Sequence, residues 1–187
     1  MVSPYSLDDY ISDLKEYIKK NNLTRPSVIA HSFGARLVLK ICATDPDLFD
    51  KIVITGGAGL KPRRSIKYRL KRLAFRLSKP FLHGKKPKAF YSKDYLSLSP
   101  IMQKSFSKIV SEHLDWCLEK IQNQTLIIYG EKDKETPVYM AKRLNKNIKN
   151  SKMLIVKGAG HFCFIDAPMK FNWEVREFLL SKKICFR

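Results

Sequence analysis

Apolar positions in this chain recur with two periods, and the alternation between them sets out the fold. Leu7, Tyr10, Ile11, Leu14, Tyr17 and Ile18 follow 3-4 spacing, which predicts a one-sided amphipathic helix. Ser6 stands before it as N-cap, with Asp9 in the capping-box place. Asn21-Asn22 ends that helix, and after Pro26 the short run Val28-Ile29-Ala30 predicts a buried strand. A helix is expected from Phe33 to Ala43, closing at Asp45-Pro46-Asp47. Ile52-Val53-Ile54 predicts a second strand, leaving through Thr55-Gly56-Gly57-Ala58-Gly59.

Further along, Ile66, Leu70, Leu73 and Leu77 form an apolar stripe among basic residues, residues 80–100 read as irregular, and Ile101 to Ile121 reads as helical. Leu126–Tyr129 is expected as the third strand and Met153–Val156 as the fourth, with helices over Tyr139–Leu144 and Phe171–Leu180. Strands alternating with amphipathic helices predict an α/β layer with a mostly parallel sheet of about four strands. Chemistry in such sheets gathers at the carboxyl ends of the strands.

Composition narrows the function classes. With 44% hydrophobic and 11% aromatic residues, the 187-residue chain can build one real core. Its longest apolar runs are strand-sized, far below the ~20 residues of a membrane helix. The opening lacks a secretory signal pattern, and Cys42, Cys117, Cys163 and Cys185 form no C-x-x-C pair. A reducing, cytoplasmic setting is therefore expected, with no metal or cofactor. The net charge is +19, and Lys outnumbers Arg by 26 to 10. From Lys61 to Lys93 there are 13 basic residues and no acidic one in 33. Such a block attracts anionic partners, nucleic acid or an anionic membrane, in one reading. In the favoured reading its stripe packs on the protein's own core and its charges face water.

The segments just after the strands hold the candidate chemistry. Ala30-His31-Ser32-Phe33-Gly34 lies between strand and helix, a small-x-Ser-x-small elbow whose serine takes a strained backbone. Read blandly, Ser32 is only a helix N-cap. After the third strand, the loop Gly130 to Pro137 offers Glu131, Asp133 and Glu135 as acids able to orient a histidine. After the fourth comes Gly158-Ala159-Gly160-His161-Phe162, where glycines let the ring swing over the sheet's edge. His31 is on the wrong side of the elbow to act as base, while His83 and His113 take no role. A serine hydroxyl needs an imidazole to remove its proton, and a carboxylate to fix the imidazole's tautomer.

Serine, acid and histidine in that chain order, each after a successive strand, resemble the α/β-hydrolase superfamily. Val28 to Arg36, Tyr129 to Asp133 with Pro137, and Gly158 to Phe162 carry the resemblance, which covers essentially the whole chain. It implies Ser32 as nucleophile, Asp133 as acid, His161 as base and the Phe33 N–H as an oxyanion donor. It further implies a core of residues 1–60 and 122–187 with a basic, mostly helical cap insertion at 61–121. The expected activity is hydrolysis of a small ester, thioester or similar acyl substrate, with carbon–carbon hydrolysis also compatible. A serine at the elbow argues against the dehalogenase and epoxide-hydrolase branches.

In that family the elbow follows the fifth strand, whereas here it lies near residue 28. The first four strands, and the His-Gly loop supplying a second oxyanion donor, have no counterpart in the sequence. The resulting expectation is an N-terminally truncated hydrolase fold that self-associates through an exposed edge strand and turns over poorly. An alternative from another class is a catalytically impaired fragment serving as a binding module.

Overall fold

The computed structural model describes residues 3–63, 95 and 97–181. Its elements are α1 (Leu7–Lys20), β1 (Val28–His31), α2 (Phe33–Thr44), β2 (Lys51–Thr55), α3 (Pro100–Ser111), a 3-10 turn (Asp115–Lys120), β3 (Gln124–Gly130), α4 (Val138–Asn147), β4 (Ser151–Val156), α5 (Cys163–Asp166) and α6 (Pro168–Leu180). The four strands are all parallel and lie in chain order, β1-β2-β3-β4. This is the expected α/β architecture. Most of the Lys61–Lys93 block, with its apolar stripe, lies outside the described residues, as do His83 and Cys185. No helix among the described residues is long and apolar enough to cross a membrane.

Alternation along the central strands divides the core in two. Ile52, Ile54, Ile127 and Tyr129 face one side, where they join buried residues of α1, α2 and α4 such as Leu7, Leu39 and Leu144. Val53, Leu126 and Ile128 face the other side, with Phe171, Val175 and Phe178 of α6. A strand buried on both faces reads as a continuous apolar run, which is why Ile52-Val53-Ile54 and Leu126–Tyr129 stand out in the sequence. α1 starts on the full Ser6/Asp9 capping box, with Asp9 Oδ2 accepting from Ser6 N at 2.6 Å.

One expectation is corrected. The helix expected over Ile101–Ile121 stops at Ser111 and resumes as the 3-10 turn at Asp115. Tertiary bonds outcompete helix continuation there. The Arg36 guanidinium donates to the carbonyls of Ile109 and Glu112 at 3.0 and 2.9 Å, and Leu114 N–H donates to Gly59 O at 2.9 Å. The short helix α5 was not expected at all, being barely one turn long.

Polar anchors fix α2 and α6 to the rest. Lys40 bridges Asp8 of α1 and Glu112 after α3, each at 2.7 Å. Buried Lys51 on β2 donates to the carbonyls of Phe178 and Leu179 at the end of α6, satisfying groups the helix itself cannot.

Gly130, the last residue of β3, meets the backbone beyond β4. A Cβ built there falls 2.0 Å from Gly160 O and 2.5 Å from Ala159 O. No side-chain rotation relieves a clash with backbone, so the two loops could not sit together. We expect Gly130→Ala to cost about 3 kcal/mol or more in urea denaturation, against a Gly158→Ala control whose Cβ meets nothing within 4 Å. The control carries only the strain of φ +76. Equal losses in the two variants would show that the close approach is not what Gly130 provides.

Candidate active site

Ser32 sits where β1 turns into α2 with φ 47 and ψ −108, a conformation costly for a residue with a Cβ. The turn is held in that shape by β2. Ser32 N–H donates to Thr55 O at 3.1 Å, and Ser32 O accepts from Ala58 N–H at 3.0 Å. A Cβ on Gly34 would lie 3.8 Å from the Ala30 Cβ, in ordinary contact, so strand and helix run close together at the elbow. The Ser32 hydroxyl makes no capping hydrogen bond, so the bland N-cap role is not the one it fills. Phe33 opens α2, and its N–H therefore has no acceptor within the helix.

The three acids of the β3 loop have separate places. Asp133 is buried and accepts four hydrogen bonds. Its Oδ1 takes the N–H groups of Glu135 and Thr136 at 2.9 and 2.8 Å. Its Oδ2 takes the Thr136 hydroxyl at 2.8 Å and His161 Nδ1 at 2.9 Å. Glu131 instead accepts from Gly158 N–H at 3.0 Å, closing the β3 and β4 loops together. Glu135 lies on the opposite nitrogen of the histidine, with Oε2 3.4 Å from Nε2. Burial alone would raise the Asp133 carboxyl, but bonds from His161 and Thr136 outweigh it and hold it below the ordinary value of 3.8. Thr136 was not picked out from sequence. Its signal is the Asp-x-x-Thr-Pro spacing, in which an Asp side chain closes a turn on the backbone two and three residues ahead.

His161 is nearly buried and is held by aromatic neighbours and a bare backbone. The His31 ring packs 4.7 Å from it, centroid to centroid, and Phe162 packs edge-on at 5.2 Å. Gly56 lies beneath both imidazoles: a Cβ there would meet His161 Cε1 at 2.9 Å and His31 Cε1 at 3.2 Å. His31 Nδ1 donates to Thr55 O at 3.1 Å. Burial, together with the neighbouring His161, lowers its basicity, so the ring stays neutral. His161 and Asp133 are thus bonded, and Ser32 follows directly on a residue whose ring packs, tilted, against His161. Among the described residues no hydrogen bond joins the Ser32 hydroxyl to Nε2, the nitrogen that Glu135 faces. Hydrogen bonds of this kind commonly tighten only once substrate is bound.

Rival nucleophiles are weak. Burial pushes the Cys42 and Cys117 thiols up to about 12. It also raises Cys163, which contacts the Thr55 hydroxyl at 3.2 Å. Among the described residues no group of three His, Cys, Asp or Glu side chains converges to hold a metal ion.

The lowered Asp133 carboxyl links the site to stability. Its contribution is fully present above the unfolded pKa and is lost as pH falls through the lower folded value. Below pH 4 the wild-type chain should therefore lose stability more steeply than Asp133→Asn, measured as urea midpoints across pH 2–6. Parallel curves would mean that the carboxylate gains nothing from its four donors.

Residues 109–184 match the family model described as TAP-like protein. Among curated proteins, "Putative carbamate hydrolase RutD" of Caulobacter segnis is 23% identical over 94% of this chain and 73% of its own length. Its counterpart in Caulobacter sp. strain K31 is 24% identical over 96% and 74%. Among solved structures, an α/β hydrolase from a Medee basin deep-sea metagenome superposes with a TM-score of 0.74 at 17% identity, covering all of this chain and 76% of that one. A Pseudomonas fluorescens meta-cleavage product hydrolase gives 0.67 at 19%, covering 94% and 72%. The parallel sheet and these superpositions give the chain the α/β-hydrolase fold, to which the family-model match and the curated relatives add similarity in sequence.

Proposed function

We propose that this chain is a serine hydrolase of a small ester, thioester or related acyl substrate, carbamates included, with Ser32, Asp133 and His161 as its triad. The observation that carries the reading is the buried Asp133–His161 pair beside a serine held at positive φ. A buried carboxylate on Nδ1 fixes the imidazole with its proton on that nitrogen, leaving the Nε2 lone pair to act as base. His161 Nε2 takes the Ser32 hydroxyl proton as Oγ attacks the substrate carbonyl carbon. The oxygen gains negative charge opposite the Phe33 N–H. Collapse of that intermediate expels the leaving group, which takes the proton back from Nε2. Water then attacks the acyl-enzyme by the same steps in reverse. Carbamate in the names of two relatives adds a substrate class with the same carbonyl chemistry.

The acyl part has a place to go. A cavity of about 600 Å³ opens beside Phe33, lined by Tyr5, Tyr10, Ile101, Met102 and Phe106 among others. Among the described residues its lining carries no charged side chain. Ser105, one of its few polar groups, already accepts from Tyr5 N–H and donates to Ile101 O. A pocket of this kind favours an uncharged, apolar acyl group.

Hydrolysis of p-nitrophenyl acetate and butyrate tests the reading. Ser32→Ala and His161→Ala should each lower kcat by about 10³-fold or more, and Asp133→Asn by about 10²-fold or more. Turnover in Ser32→Ala equal to that of the wild type would end the proposal.

A further inference from the structure

Nε2 of His161 is the nitrogen that would exchange protons with nucleophile and leaving group, and it has a carboxylate beside it. Glu135 Oε2 lies 3.4 Å away on a side chain that is 68% exposed, while the His161 side chain is 7% exposed. The Glu135 backbone is fixed, since its N–H donates to Asp133 Oδ1. The role of orienting the ring already belongs to Asp133 on Nδ1. A contact this open contributes little to folding. Its consequence is for what approaches Nε2 from solvent.

We propose that Glu135 is a specificity-determining residue that favours substrates with a cationic leaving group. The inference rests on the triad reading above. The leaving-group atom must come within about 3 Å of Nε2 to receive its proton. That places the rest of the leaving group beside the Glu135 carboxylate, which loses His161 as its neighbour when substrate enters. A positive charge on the leaving group pairs with that carboxylate; an anionic group is repelled. Among the described residues packed on the ring, His31 is less basic than a free imidazole and Asp133 is spent on its own donors. The preference is therefore for a neutral, apolar acyl part with an ammonium-bearing alcohol, thiol or amine.

Acetylthiocholine and its uncharged carbon isostere, 3,3-dimethylbutyl thioacetate, test this as a pair, with the released thiol read by a disulfide dye. The wild-type chain should prefer the cationic thioester by about two- to fivefold in kcat/KM, as suits an exposed charge pair. The preference should shrink as salt rises. Glu135→Gln should bring the ratio to about one. A ratio retained in that variant, even if both rates change, overturns the proposal. A second measurement is independent of turnover. Choline, titrated while the ring NMR signals of His161 are followed, should bind severalfold more weakly to Glu135→Gln than to the wild type. Choline affinity indifferent to the substitution overturns the proposal equally. Thioester turnover that survives in Ser32→Ala would instead remove the triad reading, and leave the choline titration to decide for Glu135.

Discussion

The site depends on the contact between the two chain segments that leave β3 and β4. Parallel pairing does not stop at the last ladder residues, Gly130 and Val156. Glu131 N–H donates to Val156 O at 3.0 Å and Lys132 N–H to Ala159 O at 2.8 Å, so the loops stay joined beyond the sheet. Backbone lies on backbone at Gly130, where even a methyl group would overlap a carbonyl oxygen. Asp133 and His161 are 28 residues apart, and their 2.9 Å bond follows from that seam. With the loops one residue out of register, a buried carboxylate would be left without its imidazole, a cost of several kcal/mol.

A second seam, between β1 and β2, serves the serine. Ser32 adopts φ 47 at an expected cost of order 1–3 kcal/mol. Its N–H and C=O are both held by the segment Thr55–Ala58, which supplies the compensation locally. The same segment places bare Gly56 under the two imidazoles and presents Gly57 O to the hydroxyl of buried Tyr129 at 2.7 Å. One short exit from β2 therefore fixes the elbow on one side and seats the histidine on the other. The anchors of α2 complete this: Arg36 and Lys40, both on the elbow helix, reach Glu112 just after α3.

Much of this was legible in the sequence because it rests on short-range rules. The strands of the sheet are apolar runs of fixed period, the α1 cap is a side chain meeting its own backbone, and the serine, acid and histidine each follow a strand. What was not legible depends on distant partners. The break after Ser111 comes from Arg36, more than 70 residues away, and no local pattern marks it. Thr136 has a local signal in the Asp-x-x-Thr-Pro turn, but its place beside His161 depends on the β4 loop. From the loop alone Glu131, Asp133 and Glu135 are equivalent, since all three stand on seven residues, and only the family resemblance singled out Asp133. The structure distributes them to the Gly158 N–H, to Nδ1 and to Nε2.

Charge shows the same separation between composition and address. A chain of net charge +19 suggests, taken whole, a protein suited to anionic partners. Around His161 the sign is reversed. Asp133 and Glu135 occupy its two nitrogens, and Glu131 sits one hydrogen bond away on the adjoining loop. Solvent and salt screen the distant surface lysines within about 8–10 Å, while groups in contact with a nearly buried ring are screened far less. On the proposed reading, a substrate's encounter with the molecule would be governed by the first field, and proton transfer at Nε2 by the second. Local sign, not net charge, is what the chemistry at Nε2 would feel.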